Sequence, residues 1–188
     1  MLRSPKKYEE YAYVLDMFTH GRLGVHRSQF SGRAVIQIIG DSFFTLLEAV
    51  PHKDTRFPQG ERIYVGKKGR TKVEHILGCI SYHKLTSEAR AELPVILETI
   101  IKADELRFIH FFNNSQSLTP RMHAISLIPG IGKRLMWQII EQRERKPFNG
   151  FEDLQGRVNL TDPVKLLGRR IIKELSEEEK YQLFVRSA

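Results

Sequence analysis

The chain has 188 residues, 41% of them hydrophobic and 28% charged, with 30 Lys and Arg against 22 Asp and Glu for a formal net charge of +8. That apolar share can build a core and excludes wholesale disorder, and a single cysteine, Cys79, excludes a disulfide framework or a cysteine-rich zinc module. No apolar run approaches the roughly 18 residues of a membrane span, and Glu9 and Glu10 stand where a signal peptide needs its apolar stretch, so a cytoplasmic protein with no membrane partner is expected.

In chain order, residues 11–18 (YAYVLDMF) are aromatic and β-branched and predict a strand. Residues 34–39 (AVIQII) predict a second strand, and 40–42 (GDS) a tight turn. Residues 43–50 (FFTLLEAV) complete a hairpin; their Leu, Glu and Ala would also suit a helix, but the turn and the paired phenylalanines favour strand. A loop punctuated by Pro51, Pro58 and Gly60 precedes a strand at 62–66, a turn at 67–70 and a last strand at 73–85, bent at Gly78. Five short strands with glycine-containing turns predict a small closed or nearly closed barrel. Cys79 sits in its last apolar run and is expected to be a buried thiol.

The pattern then becomes helical. Thr86 or Ser87 caps a helix that continues to residue 112, with a kink or break expected near Leu93 because Pro94 follows. Residues 113–117 (NNSQS) predict a polar linker. Thr119-Pro120 predicts a capped helix start, with that helix ending at Pro129-Gly130. A second helix is expected from Lys133 to about Arg145, a short third at 151–158, and a fourth opened by Asp162-Pro163. Ser176 and Glu179 read as a capping box for a final helix carrying Tyr181, Leu183 and Phe184. The fold class is therefore two-domain, α and β: a small barrel over 1–86, a connecting helix and linker over 87–116, and an all-α domain over 117–188.

The most informative string is LIPGIGKRLMWQII, residues 127–140. Gly130 and Gly132 let the backbone turn tightly, and Ile131 between them is expected to point inward. The turn delivers the chain to a helix start, where unpaired N–H groups and a partial positive charge make an anion site. Lys133 and Arg134 add full charges there. Pro129, Gly130, Ile131, Gly132, Lys133 and Arg134 are thus candidate phosphate contacts, with the amides of Ile131, Gly132 and Lys133 as donors. The string resembles the helix-hairpin-helix motif, whose ligand is a nucleic-acid backbone contacted without reading bases. The bland alternative is a plain helix–helix turn. Residues 148–158 (FNGFEDLQGRV) resemble the approach to a second such hairpin, but Gly156 is followed by Arg157-Val158-Asn159 and the second glycine is missing, so that copy is expected to be structural.

Charge is uneven. Residues 20–72 hold ten Lys and Arg against four acids, net +6, while residues 88–105 hold two against five, net −3. The positive charge belongs to the strands and their loops. Arg33, Arg56, Arg62, Lys67, Lys68, Arg70 and Lys72 are candidate phosphate contacts, and Phe30, Phe43, Phe57, Tyr64 and Tyr82 candidate base-stacking rings, because single-strand platforms pair charge with aromatics. Each ring has hairpin or core packing as its alternative.

Enzyme signatures are weak. No two of the seven histidines carry metal-ligand spacing, and there is no P-loop, dinucleotide fingerprint or nucleophile elbow. Some DNA glycosylases share the hairpin and place a catalytic lysine just after it and an aspartate downstream; here Arg134 holds the lysine position and cannot form a Schiff base, and Glu152 and Asp153 lie downstream in text that reads as a capped helix of the tandem-hairpin pattern. No catalytic residue, metal or cofactor is expected, and an RNA or DNA nuclease or glycosylase ranks below a binding protein.

With YEEYAYVLDMF, FPQGERIYVGK and VEHILGCISYHKLT beside PGIGK, the chain resembles an archaeal domain-of-unknown-function family that pairs an OB-like barrel with a helix-hairpin-helix, SAM-domain-like domain. An ordinary OB barrel has its helix between strands three and four, whereas here it follows the fifth. The resemblance implies RNA or nucleotide binding, RNA in preference to DNA, in a translation or ribosomal-RNA context, with ribosomal or RNA-polymerase-associated proteins as further partners. A protein-interaction adaptor is the alternative.

Overall fold

The computed structural model describes residues 8–18 and 33–186. Phe30, Arg22 and Arg27 lie outside them. The described residues divide into two compact units, one drawn from Met1–Ile96 with Leu175–Ala188 and the other from Leu97–Glu174.

The first unit is built on a curled sheet of β1 (Tyr11–Phe18), β2 (Val35–Gly40), β3 (Leu46–Pro51), β4 (Arg62–Tyr64) and β5 (Val73–Cys79). Its order is β4-β1-β2-β3-β5 and every neighbouring pair is antiparallel. Among the described residues no ladder joins β4 to β5, so the curl is an open half-barrel. Ala12, Val14, Ile36, Ile38, Leu47, Ala49 and Ile63 form one buried cluster. The alternate residues Leu15, Gln37 and Ile39 are buried too, so the central strands are covered on both faces.

The β2–β3 hairpin is present, but Phe43 and Phe44 belong to its turn rather than to β3. The reason lies far away in sequence. The buried Glu9 carboxylate accepts hydrogen bonds from the N–H groups of Ser42 (3.1 Å), Phe43 (3.1 Å) and Thr45 (3.0 Å). It thereby holds the turn and the positive φ of 57° at Phe44. Gly40 makes room for it, since a Cβ there would stand 1.9 Å from Glu9 Cδ. Glu9→Ala strands three turn amides and is expected to cost about 2 kcal/mol, read as a lower denaturation midpoint at unchanged m value.

β5 is shorter than expected. It bulges between Gly78 and Ile76 opposite β3 and ends at Cys79, and a 3₁₀ turn follows at Tyr82–Lys84. Cys79 is exposed rather than buried, because it is the last residue of an edge strand. Gln37 then ties the sheet to the helical text. Its amide donates to Glu48 Oε1 (2.9 Å) and to the Lys84 carbonyl (3.0 Å), and its oxygen accepts from the Thr86 N–H (2.8 Å). Of the two capping residues foreseen, Thr86 is the one used. Its hydroxyl accepts from the Ala89 N–H (3.0 Å) and donates to Asp16 (2.6 Å).

Helix α1 (Ser87–Ala103) runs unbroken through Pro94. The break foreseen near Leu93 falls instead at Asp104, before α2 (Glu105–Asn114). Pro94 and Arg90 are both on the exposed side, so the carbonyl of Arg90 that loses its donor faces water. The division into units falls within α1, whereas the sequence suggested boundaries at 86 and 117.

In the second unit the foreseen linker is ordered structure. Asn113, in α2, donates to the Phe148 carbonyl (2.9 Å) and accepts from its N–H (2.8 Å), as a neighbouring strand would. Thr119-Pro120 does not start a helix. It closes a two-stranded ribbon of β6 (Ser117–Thr119) and β7 (Met122–His123), because the fixed φ of proline suits the first corner of a turn as well as the first residue of a helix. A 3₁₀ turn (Ala124–Leu127), α3 (Lys133–Arg145), α4 (Phe151–Arg157) and α5 (Pro163–Ser176) complete the unit. The final helix expected after Ser176 is not found: Ser176 is the last residue of α5 and no helix follows among the described residues. Phe184 and Val185 are buried instead, and the Arg186 N–H reaches the Phe43 carbonyl.

Candidate nucleic-acid interface

The PGIG turn is built from beneath. The 3₁₀ turn before it is held by His123, whose Nδ1 accepts from the Ile125 N–H (3.2 Å). Burial, and then the Arg143 charge, push this imidazole below its ordinary pKa and keep that nitrogen an acceptor. The chain then tightens through two further bonds, Ile128 N–H to Ile125 O and Ile131 N–H to Ile128 O. Arg170 of α5, wholly buried and paired with Glu174 (2.7 Å), donates to the Leu127 carbonyl (3.3 Å). Gly130 has φ +93°, and a Cβ on it would meet Leu166 of α5 at 3.0 Å, so both conformation and packing call for glycine. Ile131 points inward as expected, at 3% exposure.

Gly132 is different. Its φ of −77° and ψ of 172° suit any residue, and nothing of the protein lies within 4 Å of where a Cβ would stand. It occupies the N-cap position of α3 yet supplies no side chain to cap it. Among the described residues no acceptor takes the N–H groups of Gly132, Lys133, Arg134 or Leu135. Gly132, Lys133 and Arg134 are exposed. The Ile131 amide, by contrast, is already bonded, so it is withdrawn from the donors expected at this corner and Arg134 takes its place.

The start of α5 shows the opposite solution. Asp162 caps it, accepting from the Lys165 N–H (3.1 Å), with the Lys165 ammonium 3.2 Å away. Burial pushes the Asp162 carboxyl up, but these bonds and charges outweigh it and hold the group below its ordinary pKa. A carboxylate of the chain itself thus fills the anion position there. Arg157, in the imperfect second copy, donates to the Lys146 carbonyl (2.7 Å) and the Gln142 carbonyl and so closes the end of α3. Asp153, inside α4, accepts from the Asn149 N–H (3.1 Å) ahead of the helix and pairs with Arg157 (3.3 Å) one turn on.

The basic residues of the first unit separate into two groups. Arg33 is engaged with Glu74 (2.5 Å) and the Pro51 carbonyl (3.2 Å), Arg70 donates to the Gly66 carbonyl (2.7 Å), and Lys72 pairs with Glu61. These three hold loops together rather than forming an open patch. Arg56 and Lys68 are exposed. Arg62 and Tyr64 meet one ring, and Lys67 another, that the sequence did not single out. The Arg62 guanidinium lies 3.8 Å from the Tyr11 ring centroid, Tyr64 meets Tyr11 edge-on at 5.3 Å, and the Lys67 ammonium lies 4.0 Å from the Tyr8 centroid. The antiparallel register of β1 on β4, Tyr11 opposite Tyr64, brings Tyr11, Arg62 and Tyr64 together. Of the foreseen stacking rings, Phe57 packs against the sheet core, Tyr82 is half-buried and meets His83 edge-on, and Phe43 is half-buried under Arg186. Trp137, one turn along α3 from Lys133, is exposed and is not singled out by the sequence motif.

Among the described residues no three His, Cys, Asp or Glu side chains converge as metal ligands, and no helix is long and apolar enough to cross a membrane. Comparison with known proteins gives three consistent matches. The chain is 38% identical over 184 residues to the uncharacterized protein MJ0038 of Methanocaldococcus jannaschii, covering 97% of this chain and 82% of that one. It is similar to the crystal structure of Af1531 from Archaeoglobus fulgidus, with a TM-score of 0.86 and 41% identity over 95% of this chain and all of the other. Residues 8–186 match the family described as "Protein of unknown function (DUF655)", and the chain belongs to that family.

Proposed function

We propose that this protein is a non-catalytic nucleic-acid-binding protein, RNA in preference to DNA, that pairs an OB-like half-barrel with a helix-hairpin-helix domain. The PGIG turn holds a backbone phosphate through the N–H groups of Gly132, Lys133 and Arg134, with the two cationic side chains assisting. The observation that carries this reading is the contrast between two helix starts. Asp162 satisfies α5 from within, whereas α3 begins on a glycine that no internal contact requires and leaves its amides open. An absent side chain there lets a ligand approach the backbone closely. The exposed Arg56, Lys67 and Lys68 add a second charged footprint.

A salt titration tests it. Affinity for a single-stranded RNA fragment should fall with a log–log slope of about −0.7 for each phosphate neutralised. The pair Lys133→Glu with Arg134→Glu should make the slope shallower and binding weaker at an unchanged melting temperature, because both residues are exposed. A flat titration with the wild-type chain contradicts the reading.

A further inference from the structure

We infer that Tyr8, Tyr11 and Arg62 form a stacking surface for the bases of single-stranded nucleic acid, with Lys67 and Lys68 facing its phosphates. The inference rests on the proposed nucleic-acid binding and adds to it a strand preference and a second, base-contacting site. Tyr8 is 54% exposed and Tyr11 37%, large rings left on the surface of a unit whose other aromatics are mostly covered. Each carries a cation against its ring, Lys67 on Tyr8 and Arg62 on Tyr11. Arg62 is itself oriented. Its Nε and Nη2 both donate to Asp41 Oδ2, at 2.9 and 2.7 Å, so the guanidinium is fixed by Asp41 at its edge and Tyr11 at its face.

Two features favour nucleic acid over a protein partner. Two ring–cation pairs follow one another along the pairing of β1 with β4 and the residues after it, Arg62 on Tyr11 and Lys67 on Tyr8, and each offers a base a π or cation–π contact. Free cations also lie close by: Lys67 and Lys68, just past β4, are exposed, while the acid beside Tyr11, Asp41, is already taken up by Arg62. Bases in a duplex are stacked on each other and cannot reach such rings, so the surface selects unpaired strands.

The test uses the full chain and a labelled twelve-nucleotide oligoadenylate, alone or annealed to oligouridylate. Tyr8→Ala with Tyr11→Ala should weaken single-strand binding on the order of 10-fold or more, the contribution of one or two stacked bases, and leave duplex binding unchanged. Tyr11→Phe, which keeps the ring, should bind like wild type. A second measurement needs no variant: an oligonucleotide carrying 5-bromouridine, irradiated on the wild-type chain, should give adducts at Tyr8 or Tyr11. Wild-type affinity in the double alanine variant, equal losses for single strand and duplex, or adducts confined to other residues would overturn the stacking site. The hairpin reading is judged separately by Lys133→Glu with Arg134→Glu. No binding of either nucleic acid by the wild-type chain would overturn both.

Discussion

Replacing Gly132 with aspartate is expected to lower affinity for nucleic acid about 10- to 100-fold while leaving the protein as stable as before, or slightly more so. The backbone at Gly132 is one any residue can adopt and its Cβ position is open. Aspartate is a better N-cap than glycine by a few tenths of a kcal/mol. The new carboxylate would accept from the α3 amides as Asp162 does at α5, so a phosphate loses its donors and meets a like charge. Each hydrogen bond to a charged group contributes roughly 1.5–3 kcal/mol, so losing one gives about the stated range. Gly132→Ala should preserve the fold and weaken binding less. Titration and thermal melting of the same samples check this; a Gly132→Asp chain that binds as tightly as wild type takes the turn out of the interface.

The second large effect concerns what holds that turn. Arg170 and Glu174 are 1% and 0% exposed, and Arg170 also reaches the Leu127 carbonyl. Glu174→Ala leaves a buried guanidinium without its carboxylate and should cost about 3–5 kcal/mol, a large part of an ordinary domain's 5–15 kcal/mol. Replacing both, Arg170→Met with Glu174→Leu, removes both buried charges and should restore most of that stability. It does not restore the donor to Leu127, however, so the double variant should be folded yet bind more weakly than wild type. Denaturant unfolding beside affinity separates the two consequences. A loss below 1 kcal/mol for Glu174→Ala would mean that the pair does not anchor the turn.

Much of the fold was legible where local chemistry decides it. The strand at Tyr11–Phe18, the β2–β3 hairpin, the start of α3 after PGIG and the Asp162 cap follow from alternation, turn residues and capping rules. Errors came where one local signal serves two structures. Proline after threonine opens a helix or turns a ribbon, and at Thr119-Pro120 the short β6–β7 pairing decided. Ser176 with Glu179 has the letters of a capping box, yet α5 runs through the serine. Other features depend on distant partners that no window of sequence contains. Glu9 remakes the turn at Phe43 and Phe44 from more than thirty residues away, and Asn113 fixes Phe148. The same holds for the candidate interface. Gly132, Lys133 and Arg134 were readable as a motif, but whether Arg33 or Lys72 is engaged by an acid, and that Tyr11 meets Arg62 and Tyr64, depends on strand register.

The most direct test of the central claim is to follow backbone amide resonances during titration with a short single-stranded RNA. The N–H groups of Gly132, Lys133 and Arg134 should shift progressively and saturate together. The Lys165 amide, already bonded to Asp162, should stay in place. Saturable binding that leaves those three amides unmoved would contradict the account.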